Sequence, residues 1–173
     1  MAISVFDLFK IGIGPSSSHT LGPMKAALAF AGQLMNSDGV SQISSIRVEF
    51  FGSLGATGRG HGSAKAVVLG LMGVQPETVD VDQIPDMIGK AKAEQKLSLM
   101  GTVEIPFVDT QDLVFHQKES LAYHSNGMRF TAIEEAGKEL SSKIYYSVGG
   151  GFVVDEDRAV EGMIIEDDTT LPY

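Results

Sequence analysis

Two polar segments of this chain carry residue types that could bind an anion and move a proton. The first, residues 14–23 (GPSSSHTLGP), places four hydroxyl groups and an imidazole between a short apolar start and a helical pattern. Pro23 suits the first position of a helix, whose N–H groups and positive dipole end favour a carboxylate or phosphate. We therefore predict a ligand-binding loop; the alternative is a capped turn with solvated serines. The candidate residues are Ser16, Ser17, Ser18, His19 and Thr20.

The second segment, residues 51–63 (FGSLGATGRGHGS), lies between an alternating strand pattern and the helical spacing that begins at Ala64. Its glycines match neither the P-loop nor the dinucleotide-binding fingerprint, and no Gly-Lys-Ser or Gly-Lys-Thr is present. His61 has only glycines beside it, so its ring is expected to be accessible and able to act as a base near neutral pH. A purely structural histidine is the alternative.

Two later segments add polar and flexible residues. Residues 122–130 (AYHSNGMRF) place His124 beside Asn126-Gly127, a pair typical of a tight hairpin turn. Residues 145–152 (YYSVGGGF) read as a strand interrupted by Gly149, Gly150 and Gly151. Such an interruption predicts a bulge, a sharp bend or close approach of a ligand to the backbone.

The remaining pattern places helices early and strands late. Helical spacing predicts a short helix from Ser4 to Phe9, a helix with one face formed by Met24, Ala27, Leu28, Ala31 and Met35, and helices over 64–72 and 87–95. Strands are predicted at 46–50, 97–107, 113–115, 121–124, 128–133 and 143–148, with a turn at 136–138. This order predicts one α+β domain, with helices layered on a mainly antiparallel sheet.

Composition and charge exclude several classes of protein. The chain has 173 residues and a net charge of −9. Residues 155–173 contain seven acidic side chains and one basic one, so we predict a domain over 1–154 followed by an acidic tail or linker. The chain has no basic stripe for nucleic acid, no apolar run long enough to span a membrane, and no basic signal-peptide start. We expect a soluble cytoplasmic protein.

Together, the four segments resemble the beta portion of iron–sulfur-dependent L-serine dehydratases. The motifs SSSHT, GSLGATGRGH, HSNG and YSVGGGF occur in the order of that family and span nearly the whole chain. The resemblance implies deamination of L-serine to pyruvate and ammonia with a 4Fe-4S cluster in place of pyridoxal phosphate. It also implies a fold similar to the allosteric substrate-binding domain of some phosphoglycerate dehydrogenases.

The sequence departs from a complete enzyme because it contains no cysteine. Iron–sulfur clusters are held by cysteine thiolates, so this chain cannot bind the cluster by itself. The resemblance implies that the cysteines belong to an alpha portion, either a fused domain or a separate subunit. The expected partners are therefore L-serine and that cluster-bearing portion; the chain could also form a homo-oligomer.

Serine dehydration requires a base for the α-proton and a group that takes the β-hydroxyl. We assign the base to His61, and positioning or proton-shuttling roles to His19 and His124. Predicted substrate contacts come from Ser16, Ser17, Ser18, Thr20, Asn126, Gly127, Gly149 and Gly150; no metal ligand is predicted in this chain. His116, outside every motif, is expected at the surface. The main alternative is a regulatory domain that binds serine or a related carboxylate without catalysis; a phosphate-binding enzyme ranks third.

Overall fold

The structure is a computed structural model that describes residues 16–57, 59 and 62–160. Its main sheet has five strands in the order β4-β1-β5-β6-β7. The strands are β1 (Ile43–Phe50), β4 (Leu113–Phe115), β5 (Gly127–Glu134), β6 (Glu139–Gly149) and β7 (Phe152–Asp155). All neighbouring pairs are antiparallel except β1 and β4, which are parallel. The predicted α+β class with a mainly antiparallel sheet is confirmed.

Helices α1 (Gly22–Met35) and α3 (Ser63–Leu71) pack closely against each other, and α1 also contacts β5 and β6. Their crossing is tight because Gly70 has no side chain: a Cβ there would come within 2.3 Å of the Met24 carbonyl oxygen. Met24, Ala27 and Ala31 are fully buried, as the helical spacing predicts, whereas Leu28 and Met35 of the same predicted face are half-buried. Apolar side chains on one face of β1 and β5, including Val48 and Phe130, complete the core beneath the helices.

Further helices are α2 (Gly52–Thr57), α4 (Ile84–Glu94) and α5 (Asp109–Asp112). Helix α4 confirms the helix predicted over 87–95. None of the helices in the described ranges has the length and apolar character needed to cross a bilayer.

Several predicted elements differ from the structure. The strand predicted over 97–107 is a hairpin of β2 (Lys96–Leu99) and β3 (Val103–Pro106), because Met100 and Gly101 both adopt positive φ and reverse the chain. Residues 121–124 are not a strand. Asn126-Gly127 is not a hairpin turn, since neither residue has the positive φ that such turns require; Gly127 begins β5.

Some predictions fall on other parts of the chain. The helix predicted over Ser4–Phe9 and most of the acidic tail lie outside the described residues. Residues 156–160, at the start of the predicted tail, are helical. The division between 1–154 and 155–173, and the similarity to the allosteric substrate-binding domain, stay predictions.

Candidate functional site

The serine-rich segment forms one π-helical turn, Ser17–Leu21, which we call the serine turn. It runs directly into α1, and the Gly22 N–H donates to the Ser17 carbonyl. Helical backbone therefore begins at Ser17, several residues before the helix start predicted at Pro23. The N–H group of Gly22 is consequently bonded within the helical backbone. The Thr20 side chain is buried, and its hydroxyl donates to the Ser16 carbonyl, so this hydroxyl supports the turn.

Both ring nitrogens of His19 contact serine hydroxyls. Nδ1 lies 3.0 Å from Ser18 Oγ, and Nε2 lies 3.0 Å from Ser53 Oγ. A neutral imidazole has one donor and one acceptor nitrogen, and a hydroxyl can fill either complementary role. Since Ser53 belongs to the second motif, His19 joins the serine turn to the start of the glycine-rich loop. A further contact of 3.2 Å between Ser16 Oγ and Ser18 Oγ extends this chain of hydroxyls.

The second motif is joined to the third through the backbone of Gly52 and Ser53. The Ser53 N–H donates to the Ser125 carbonyl over 2.8 Å. Gly52 has φ +57°, and a Cβ there would lie 1.9 Å from the same carbonyl oxygen. The first glycine of this loop is thus required both by its backbone conformation and by the close approach of the Ser125 backbone.

The third motif supports His124 through Asn126. The backbone N–H of Asn126 donates to His124 Nδ1 over 3.0 Å. The carbonyl of Asn126 accepts from the Ser147 N–H, and its side-chain Nδ2 donates to the Ser147 carbonyl over 3.2 Å. The side-chain amide of Asn126 therefore donates to the Ser147 carbonyl, and the backbone N–H of Asn126 donates to His124 instead of to this strand.

The fourth motif contains the hairpin turn between β6 and β7. Gly149, Gly150 and Gly151 have φ values of 97°, 61° and 76°, which non-glycine residues rarely adopt, and the β6–β7 register shifts between Ser147 and Gly149. The glycine run therefore contains both the predicted sharp bend and a bulge. The turn lies against the serine turn: a Cβ on Gly151 would come within 2.6 Å of the Leu21 side chain. A Cβ on Gly22 would come within 1.9 Å of Ser147 Oγ.

The four motifs therefore form a closed ring of contacts. The first contacts the second through His19 and Ser53, the second contacts the third through Ser53 and Ser125, and the third contacts the fourth through Asn126 and Ser147. The fourth returns to the first where Ser147 meets Gly22. Five side-chain oxygens of these segments are buried without a hydrogen-bond partner in the described part of the chain: Ser63 Oγ, Asn126 Oδ1, Ser147 Oγ and the hydroxyls of Tyr145 and Tyr146. Unsatisfied buried polar atoms are rare away from bound water or ligands.

His61, the predicted base, lies outside the described residues, but Arg59 and Ser63, two positions away on either side, are described. The Arg59 guanidinium donates to the carbonyls of Asp109 and Leu113 over 2.9 and 2.7 Å. It also lies over the Phe115 ring, 5.2 Å from the centroid. Ser63 is fully buried at the first position of α3. The glycine-rich loop is thus attached to the sheet on one side and to the helix layer on the other.

The prediction that His116 is a surface residue holds only in part, because its side chain is 25% exposed. Its ring stacks on Phe51 at 4.5 Å between centroids, and Nε2 lies 3.0 Å from Glu49 Oε1. Glu49 also pairs with Arg129, which lies directly opposite on β5. These three charged or titratable groups meet only through the pairing of β1 with β5 and β4, so no local sequence signal marked them.

The residues of this chain do not fit an iron–sulfur cluster. The sequence has no cysteine, and within the described ranges no three His, Asp or Glu side chains lie close enough to hold a metal ion. Such clusters need thiolate ligands, and this chain offers none.

A family model described as serine dehydratase beta chain matches residues 4–158. The chain belongs to this family. It is 54% identical over all its 173 residues to an L-serine dehydratase of Streptomyces coelicolor, covering 38% of that protein. It is 46% identical over 155 residues, 89% of its length, to an L-serine dehydratase of Haemophilus influenzae, covering 34% of it. L-serine dehydratase 2 of Escherichia coli is 46% identical over 156 residues, with 90% of this chain and 34% of that protein covered.

This serine dehydratase beta chain thus spans between a third and two-fifths of the length of these relatives. The remaining length of each relative has no counterpart here. The family assignment agrees with the resemblance seen in the four motifs.

Proposed function

We propose that this chain is the part of an L-serine dehydratase that binds the substrate and supplies the base for α,β-elimination. The closed ring of the four motifs carries the proposal, because it brings hydroxyl and imidazole groups from distant parts of the sequence to one place. A capped turn or an isolated surface hairpin would not require these contacts. The beta-chain family and the L-serine dehydratases similar to this chain support the same activity.

The reaction divides into steps that this chain can assist. A base removes the Cα proton of L-serine, the electron pair expels the β-hydroxyl, and the hydroxyl takes up a proton and leaves as water. The aminoacrylate formed tautomerises and is hydrolysed by water to pyruvate and ammonia. His61 is the proposed base, with His19 and His124 positioning the substrate or relaying protons. The hydroxyls of Ser16, Ser17 and Ser18, together with Asn126, contact the carboxylate and ammonium. In this proposal, an alpha portion, either a fused domain or a separate subunit, holds the 4Fe-4S cluster. The enzyme that the two portions form is cytoplasmic in this proposal.

Replacement of His61 tests the assignment of the base. In the complete dehydratase, we expect His61→Ala to lower kcat by roughly a hundredfold or more, the usual contribution of a general base, with a much smaller change in KM. His116→Gln is the matched control, because His116 belongs to none of the four motifs in the sequence. Pyruvate formation at varied L-serine concentrations gives both constants.

Two results would contradict the proposal. An intact kcat in His61→Ala, with turnover abolished by His19→Ala or His124→Ala, would assign the base to another histidine. Unchanged kcat in all three variants, with altered response to added serine, would favour the regulatory binding domain. The chain alone is expected to lack turnover even after anaerobic treatment with iron and sulfide, because it has no cysteine.

A further inference from the structure

The hydrogen bond between Asn126 and His124 determines which nitrogen of the His124 ring carries the proton. The partner of Nδ1 is a backbone N–H, which can only donate, at 3.0 Å. Nδ1 must therefore be the acceptor, and the neutral ring carries its proton on Nε2. Turning the ring over would place a carbon-bound hydrogen against this N–H and lose the bond, so the ring orientation follows from the same contact.

The donor to Nδ1 is held firmly in place. Asn126 is bound to Ser147 by two hydrogen bonds, one to its backbone carbonyl and one from its side-chain amide. The amide orientation is also determined, because the Ser147 carbonyl can only accept and must face the NH₂ group. Asn126 is 8% exposed and Ser147 is fully buried. This support is part of the sheet, so the tautomer of His124 is built into the fold.

A neutral imidazole has a single free lone pair, and in His124 the Asn126 N–H occupies it. The ring cannot take a proton from substrate while that bond is present. Its Nε2–H, at the other side of the ring, has no hydrogen-bond partner among the described residues. His124 is half-buried, so this N–H remains within reach of a bound ligand.

We propose that His124 acts as a hydrogen-bond donor through Nε2–H to the substrate carboxylate, and that Asn126 is the residue that positions it. This inference rests on the proposed function. When the base removes the Cα proton, the electron pair of the C–H bond delocalises onto the carboxylate before it expels the β-hydroxyl. A donor directed at a carboxylate oxygen stabilises the negative charge that develops there, and His124 keeps its proton throughout.

The test compares three replacements of His124 in the complete dehydratase. His124→Gln keeps an N–H donor near the position of Nε2, whereas His124→Phe keeps the ring shape without a donor. Loss of one donor to a developing oxyanion typically lowers kcat by about a hundred- to a thousandfold. We expect that loss in His124→Phe and His124→Ala, and a kcat within roughly tenfold of the unmodified enzyme in His124→Gln. An amide cannot accept a proton, so a base would show no such rescue.

Nitrogen NMR of the unmodified enzyme provides a second measurement that does not depend on whether the variants fold. A ¹⁵N-labelled sample should show the His124 ring as the Nε2–H tautomer, with Nδ1 unprotonated. A His124→Gln enzyme as inactive as His124→Phe, or an Nδ1–H tautomer, would overturn the inference. Either result leaves the proposed function standing if the unmodified enzyme converts L-serine; absence of that conversion would instead contradict the proposed function itself.

Discussion

Gly22 is the residue whose replacement most directly tests the contact between the first and fourth motifs. Its φ of −58° is ordinary for a helix, so the backbone conformation does not require glycine. The requirement is spatial: a Cβ at Gly22 would lie 1.9 Å from Ser147 Oγ and 2.8 Å from Ser147 Cβ. Gly32, in the same helix, has no atom within 4 Å of such a Cβ. Gly22→Ala and Gly32→Ala are therefore a matched pair.

The expected effects have opposite signs. Replacing glycine by alanine inside a helix stabilises by up to about 1 kcal/mol, and this is the whole effect expected for Gly32→Ala. In Gly22→Ala, α1 or β6 must shift by about 1 Å to relieve the overlap, and overpacking of this kind costs about 1 to 3 kcal/mol or more. A net loss of about 2 kcal/mol corresponds to a fall in Tm of roughly 4 to 8 °C for a protein of this size.

Thermal unfolding of the purified protein measures both variants under the same conditions. In addition, Ser147→Gly removes both atoms that collide with the new methyl group, so Gly22→Ala should cost less in that background than in the unmodified protein. A Gly22→Ala protein as stable as Gly32→Ala, or an equal cost in both backgrounds, would show that α1 and β6 do not meet at Gly22.

Two further predictions concern a tyrosine and the serine turn. Burial, and then the charge of Asp155, raise the pKa of Tyr145 from 10.0 to about 12, and its hydroxyl is buried without a partner in the described chain. Because the pKa of Tyr145 is higher in the folded than in the unfolded protein, the free energy of unfolding should fall as the pH rises from 10 to 12. Tyr145→Phe should reduce this loss, which alkaline denaturation curves of both proteins measure. An unchanged curve in Tyr145→Phe would contradict the prediction. Ser17→Ala should weaken inhibition of the complete enzyme by D-serine roughly ten- to a hundredfold with little change in Tm, because it removes a hydrogen bond to a charged ligand. Unchanged inhibition with a lowered Tm would mean that the serine turn is only a helix cap.

The sequence predicted the elements whose signals are local. The helical spacing from Met24 located α1, and the alternation around Arg47 located β1, because side chains on a buried face repeat with the period of the element. Predictions were wrong where a conformation, rather than a pattern of hydrophobicity, made the turn. Positive φ at Met100 divided one predicted strand into two, and Asn126-Gly127 had the composition of a turn without its backbone.

For the candidate site too, the sequence determined some features and the tertiary structure determined others. The sequence by itself determined the family, the residue types in the four motifs, and the absence of thiolate ligands from this chain, because these depend only on which residues are present and in what order. Only the tertiary structure decided that His19 meets Ser53, that Asn126 binds both His124 and Ser147, and that His116 is packed beside Glu49 and Phe51. The contacts of His19 and His116, and that of Asn126 with Ser147, join residues between 21 and 67 positions apart. Strand pairing and helix packing create such contacts, and the state of an imidazole depends on the partners that they bring to it.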